Sequence, residues 1–402
     1  MIIGLDTIHD RDSIVYDDDK NISRDVFLAT GGACDLLVDA FSKLPNLRSV
    51  GLRDYHGNGR LRDGEYAKWR SYGWSSGTPF GERYAPPDDM LPFLLFTLGK
   101  ASVRPTNFEA FLRRKRIPDR SFDITSLRSD VASVLSGLRT LLLNLDDARP
   151  SNAPQGPRFN GHHHLQRFLQ HTPLLEHLRL NFANRVADTS GDVGSEGFLR
   201  WFGTPTGVAA TTGSSPIALN HLTTLDLGLL YVTPKTLLQV VSKCAKLKAL
   251  SLWKVTLQSL EDRGENVDCL WSSCLPEIGN AFQAPEGVCT VTIGFAYQLT
   301  NQFTHPEVKF ASKVTVNGNG EKKFEDPEGK ASYRKRVGSD VNGWLENLGK
   351  RAFVEKPYLS DDSDYSEDDE DDDGEEVEGG DSEDAEDDDS ERDEAEAIVL
   401  EE

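Results

Sequence analysis

Apolar residues recur along this chain in one short phrase. Leu47-Arg-Ser-Val50-Gly-Leu52, Leu138-Arg-Thr-Leu141-Leu-Leu143, Leu175-Glu-His-Leu178-Arg-Leu180, Leu222-Thr-Thr-Leu225-Asp-Leu227 and Leu247-Lys-Ala-Leu250-Ser-Leu252 all follow L-x-x-L-x-L, with Val50 in one second place. Side chains alternate between the faces of a strand, so the last two apolar positions point one way and the residues between them the other. The phrase predicts five short strands, each burying its three apolar positions. A stretch of helical spacing precedes most copies: Leu36-Leu37-x-x-Ala40-Phe41, Val131-x-x-Val134-Leu135, Leu165-x-x-Phe168-Leu169 and Leu237-Leu238-x-Val240-Val241. Helix then strand, repeated, predicts an α/β fold. The expected form is an irregular leucine-rich-repeat solenoid, a curved parallel sheet with outer helices whose polar strand positions line the concave face.

The spacing is uneven. From the first Leu of each copy the intervals are 91, 37, 47 and 25 residues, against roughly 20–29 for a regular leucine-rich repeat. The asparagine or cysteine expected eight residues after the first Leu is replaced by Tyr55, Asp146, Ala183, Leu230 and Val255. Insertions are therefore expected at about 56–105, 149–161 and 184–216, the last two marked by Pro, Gly, Thr and Ser. Within the first, a helical run from Leu91 to Leu98 leads to room for one degenerate repeat around Phe108 to Leu112. Past Leu260 the pattern weakens. Val288-x-x-Val291-x-Ile293 reads as a last degenerate strand, Val308 to Val316 as a capping hairpin before the Asn317-Gly318 turn signal, and Val341 to Ala352 as a closing helix. The domain plan is a repeat body over 1–300, a capping region over 301–359 and a tail over 360–402.

Charge separates that tail from the rest. Residues 361–402 hold 26 Asp and Glu against one base, Arg392, whereas the other 360 residues carry 43 bases and 40 acids. A tail so charged and so poor in apolar residues cannot bury enough surface to order itself, and is expected to be disordered. A generally basic nucleic-acid binder is disfavoured, because the tail would repel phosphate. No stretch approaches the roughly 18 apolar residues of a membrane helix, and Met1-Ile-Ile-Gly-Leu-Asp6 lacks the basic and apolar regions of a secretory signal. Five cysteines, Cys34, Cys244, Cys269, Cys274 and Cys289, read as reduced thiols, so the expected location is cytoplasmic and/or nuclear.

Candidate chemistry is sparse. Gly73-Trp-Ser75-Ser-Gly77 matches the G-x-S-x-G nucleophile elbow of serine hydrolases, but a charged stretch precedes it and Thr78-Pro79 follows, where the elbow needs a buried strand and a helix. His162-His163-His164 has no carboxylate or thiol at a recognised zinc spacing and reads as a polar helix start. Arg113 to Arg116 and Arg334 to Arg336 are short basic clusters, read as solvated surface. The expectation is a non-enzyme with no catalytic, cofactor-binding or metal-ligating residue. In the tail, Ser363, Ser366 and Ser390 sit among acids and are candidate phosphorylation sites.

The stretch Leu44-Pro-Asn-Leu-Arg-Ser-Val-Gly-Leu-Arg-Asp-Tyr55, followed by Trp69-Arg-Ser-Tyr-Gly73, resembles the leucine-rich regions of filamentous-fungal F-box-type proteins. Thr172 to Leu180 and Leu222 to Leu227 look like the same group, so the likeness covers about residues 1–300. It implies repeats that hold a substrate protein and an F-box that binds the Skp1-type adaptor of a cullin ubiquitin ligase. No Leu-Pro-x-Glu-Leu segment stands near Met1, so an F-box is expected upstream or is lost. The order of leucine-rich repeats then acidic tail also looks like acidic nuclear phosphoproteins that bind histones, which would make basic proteins the partners.

Overall fold

The computed structural model describes residues 2–4, 31–53, 90–112, 116–125, 129–146, 162–182, 194–207, 215–259, 269–282, 289–299, 306–316, 322–325, 330, 332–337 and 340–354. Ser75, Ser363, Ser366, Ser390 and the whole acidic segment lie outside these residues, so expectations about them stay with the sequence. One compact unit spans Met1–Val354.

Its sheet grows in chain order. Strands β1 (Ile2–Gly4), β2 (Ser49–Arg53), β3 (Asn107–Phe111), β4 (Thr140–Asn144), β5 (His177–Asn181), β6 (Thr224–Val232) and β7 (Ala249–Gln258) each lie parallel to the next. Between them run α1 (Gly32–Ser42), α2 (Met90–Lys100), α3 (Ser129–Ser136), α4 (His163–Gln170), α5 (Gly194–Gly203) and α6 (Pro234–Lys243), with a 3-10 turn at Asp119–Phe122. A parallel neighbour demands a crossover, and these helices supply it. Beyond β7 come α7 (Leu270–Ala281), β8 (Cys289–Gly294), β9 (Ala296–Leu299), β10 (Glu307–Phe310), β11 (Lys313–Val316), β12 (Lys322–Glu325), β13 (Ser332–Val337), α8 (Val341–Arg351) and β14 (Ala352–Val354). Here the sheet turns partly antiparallel: β13 pairs with β8, and β10 with β9 and β14. The result is a mixed α/β unit with one large, mostly parallel sheet and eight α-helices among the described residues. That arrangement does not by itself amount to a solenoid.

The leucine phrases sit in register. Leu141, Leu178, Leu225, Leu250 and Val291 are neighbours across five strands, as are Leu143, Leu180, Leu227, Leu252 and Ile293 one step along. These rows are buried, with Val50, Leu52, Leu138, Leu175, Leu222 and Leu247, whereas Leu47 is only partly buried at its edge. The core between sheet and helices is filled by Phe41, Phe108, Phe122, Phe168, Phe182, Phe198, Phe202 and Trp271.

Three expectations need correction. The span 184–216 is not all insertion, since α5 lies in it and buries Phe198, Leu199, Trp201 and Phe202. Similarly α2 and its loop fall within 56–105, with Leu91, Leu94, Leu95 and Leu98 buried. Helix α5 follows an interval too long for one repeat, which hides its periodicity from a phrase-based reading, whereas α2 is the helical run expected from Leu91 to Leu98. Val308 to Val316 is not one hairpin: β10 joins the large sheet, while β11 pairs with β12 in a separate two-stranded ribbon.

Three bulky or charged residues adopt left-handed backbone: Leu229 (φ 54°), Lys254 (φ 53°) and Phe295 (φ 47°). Leu229 and Lys254 fall at the same register step, between Gly228–Trp253 and Leu230–Val255. Phe295 falls just after the Trp253–Gly294 pair. Each such residue costs on the order of 1–3 kcal/mol and persists only where surrounding contacts impose it. The consequence is a bend crossing three neighbouring strands. Before it β7 pairs with β8; after it, from Thr256, β7 pairs with β9.

Candidate interaction surface

The polar strand positions form the second face of the sheet. In β3, β4 and β5 burial alternates strictly, and the residues between the leucines are half-buried. Neighbours along the middle row are Glu109, Leu142, Arg179, Asp226, Ser251 and Thr292. One row further along lie Asn144, Asn181, Gly228, Trp253 and Gly294.

Arg179 is the centre of this face. Its guanidinium lies over the Phe111 ring at 5.8 Å. Its Nε stands 3.9 Å from Asp226 Oδ2, too far for a hydrogen bond. That oxygen is within 3.0 Å of His177 Nε2. Arg179 Nε is buried without a hydrogen-bond partner, although 41% of the side chain is exposed. The cation therefore lies beside a ring and a neighbouring charge while its Nε donor stays unused.

The next row is built from amides and glycines. Asn144 Nδ2 donates to Leu112 O at 3.3 Å, and Asn181 Nδ2 donates to Asn144 Oδ1 at 3.1 Å. A short asparagine ladder exists after all, two residues earlier in the phrase than a regular repeat places it. Asn181 leans over Gly228, where a Cβ would meet its Oδ1 at 2.5 Å. Trp253 lies over Gly294, where a Cβ would meet the indole at 2.3 Å, and meets the Phe295 ring edge-on at 5.1 Å. Lys254, exposed by its left-handed backbone, places its amine 5.8 Å above Phe295. Together these form a half-exposed aromatic platform at one end of the face.

Three acceptors on the helical side are committed to structure. The buried Glu196 carboxylate accepts from Thr233 N at 2.8 Å, Thr233 Oγ1 at 3.1 Å, Thr236 Oγ1 at 2.5 Å and Arg200 Nη2 at 3.3 Å. It thus ties α5 to the first turn of α6, whose orphan N–H groups need acceptors. Asp119 does the same for α4, accepting from His164 N at 3.0 Å and Leu165 N at 2.9 Å. Burial is the largest influence on the Asp119 carboxyl and holds it above its usual range against those hydrogen bonds. Gln298 Oε1 accepts from Leu270 N at 2.8 Å to cap α7. Glu196→Ala is expected to lower stability by about 1.5–3 kcal/mol, because buried donors lose a charged acceptor. A urea titration checks this; an unchanged midpoint would show the donors re-pairing.

The histidine triplet does not assemble a metal centre. His162 is buried edge-on against Phe182 and Phe198, and burial pushes its pKa down to about 4. His163 and His164 begin α4 and are half-buried. Among the described residues no group of three or more His, Cys, Asp and Glu is placed to hold a metal ion. None of the five cysteines forms a disulfide among the described residues. Burial pushes Cys244 and Cys274 up to about 12, so both stay protonated at neutral pH and are poor nucleophiles.

A groove of about 920 Å³ lies among α5, α6 and α7, lined in part by Thr206, Lys235, Gln239, Lys243, Cys274 and Glu277. Lys243 donates to Phe202 O at 2.7 Å, so its amine closes the carbonyl end of α5, and burial lowers its pKa to about 8. Of the described helices, none is long and apolar enough to cross a membrane.

Reasoning from the phrases located the rows that carry this face without singling out Arg179, Asp226 or Trp253. Their one signal is position, since each occupies a residue beside a leucine whose side chain points away from the core. The chain matches no family model, and no curated protein matches it.

Proposed function

We propose that the chain is a non-catalytic protein-interaction module whose partner lies on the half-exposed face of the sheet. Arg179 carries this reading: a half-exposed cation beside Phe111 and Asp226, with its Nε donor unpaired, is a group prepared for something outside the chain. The aromatic platform at Trp253 and Phe295 adds apolar area beside it, as protein interfaces favour. Reading the body as an irregular leucine-rich-repeat array is supported by the chain-order strands and the registered leucine rows. On that reading the protein is a substrate receptor of an F-box-type ubiquitin ligase, working in the cytoplasm and/or nucleus with a Skp1-type adaptor.

The test is site-directed photocrosslinking of the full chain in fungal cells. A photoreactive residue at Leu142 or Ser251 is expected to capture one protein that the same residue at Leu36, on the exposed side of α1, does not. An adaptor and cullin co-purifying with that capture support the receptor reading. Equal capture from all three positions removes the sheet face as the partner surface. A fluorophosphonate probe is expected to leave Ser75 unlabelled; stoichiometric labelling there would restore the hydrolase reading.

A second reading rests on the 26 acids of residues 361–402: a nuclear protein that binds histones or other basic partners through this segment. Exposed charges are screened over about 8 Å at physiological ionic strength, so such binding is weak and salt-dependent. Exchanging these acids for Asn and Gln in the full chain separates the readings, since it abolishes histone binding and leaves crosslinking from Leu142 intact.

A further inference from the structure

We propose that the open face takes an extended acidic segment of a partner protein, seating an Asp or Glu carboxylate on Arg179 and an apolar side chain on the Trp253–Phe295 platform. This deepens the reading of the open face as the partner surface and rests on it.

The carboxylate follows from the state of Arg179. A guanidinium presents five N–H donors in a rigid fork that matches a carboxylate with two parallel hydrogen bonds. Here its Nε edge is turned toward Asp226, at 3.9 Å, and among the described residues no hydrogen bond uses Nε, while 41% of the side chain is exposed. The Phe111 ring at 5.8 Å fixes the plane, so little rotamer freedom is left to lose on binding. The acids on the same face are turned to neighbours of their own. Asp226 is within 3.0 Å of His177 Nε2, and Glu109 lies against Gly51, two strands from Arg179.

The apolar contact follows from the platform. Trp253 rests on Gly294 and against Phe295, which leaves its ring half-exposed and flat. Lys254, over Phe295, adds a second cation at that end. Arg179 and Trp253 are two strands apart and two residues apart along the strand. With strands about 4.8 Å apart and a rise of about 3.3 Å per residue, that separation is roughly 12 Å, or three to four residues of extended peptide. The face thus reads an acid and an apolar residue three or four positions apart.

The experiment pans a random twelve-residue phage library on the full chain, then measures the enriched peptides by fluorescence anisotropy. The expected peptides carry Asp or Glu three or four residues from an aromatic or leucine. Changing that acid to Gln, or the protein by Arg179→Ala or Trp253→Ala, should weaken binding by tenfold or more. Both protein positions are partly exposed, and circular dichroism with a melting curve confirms that the variants fold. Enriched peptides without an acid, binding unchanged in Arg179→Ala, or a library with no binder would overturn the inference. Peptides without an acid that are still lost in Leu142→Arg would keep the open face as the partner surface. Binding that survives every substitution on this face would overturn both.

Discussion

Leu225→Ala is expected to lower the unfolding free energy by about 2–5 kcal/mol, the range for truncating a fully buried leucine. Leu225 is fully buried and stands in register between Leu178 and Leu250, in the middle of a leucine row that crosses five strands. Rigid strands on both sides limit how far the site can collapse, which favours the upper half of the range. Equilibrium denaturation in urea measures the loss. Thr224→Ala, one residue away on the half-exposed face, is the control and should change stability by about 0.5 kcal/mol or less. A loss below about 1 kcal/mol at Leu225 would mean that the row is not packed as a row.

Acidification should expose His162. Its folded pKa is about 4, whereas an unperturbed histidine titrates near 6.5, and the cause is burial without a partner for Nε2. Above pH 6.5 the ring is neutral in both states and contributes no pH dependence. Between pH 6.5 and 4 the unfolded chain takes up a proton that the folded chain refuses, so stability falls as pH falls. The slope is about 1.4 kcal/mol per unit and the total about 3 kcal/mol, with no further loss below pH 4. Asp119 works in the opposite sense as pH falls toward 3.8, since its raised pKa makes protonation favour the folded state. The comparison of wild type with His162→Leu cancels that contribution. The variant is expected to lose the slope between pH 6.5 and 4; parallel curves would show that His162 is hydrated or paired.

What could be read in advance divides along physical lines. Period-two alternation is a local property of a strand, so the buried rows at Leu141, Leu178, Leu225 and Leu250 were legible from spacing alone. So were α4 and α6, whose apolar residues recur every three or four positions. Helix α5 escaped because Gly194, Gly197 and Gly203 interrupt its pattern with weak helix formers. Only the packing of Phe198, Trp201 and Phe202 against neighbours holds it. The reading of Val308 to Val316 as one capping hairpin also failed on local grounds: a turn signal at Asn317-Gly318 says that a strand ends, but not which sheet that strand joins.

The amino-acid sequence by itself determined the strands of the leucine phrases and most of their crossover helices, the apolar side of each of those strands, and the partition of charge between residues 361–402 and the rest. These need only neighbouring residues and the geometry of a single element. The tertiary structure alone decided that Arg179 meets Phe111, 68 positions earlier, and Asp226, 47 positions later. It alone placed Trp253 on Gly294 and Glu196 at the start of α6. Such contacts depend on strand register and on which helix follows which. Register is set by summing the burial of whole leucine rows, and no single phrase in the chain carries that sum.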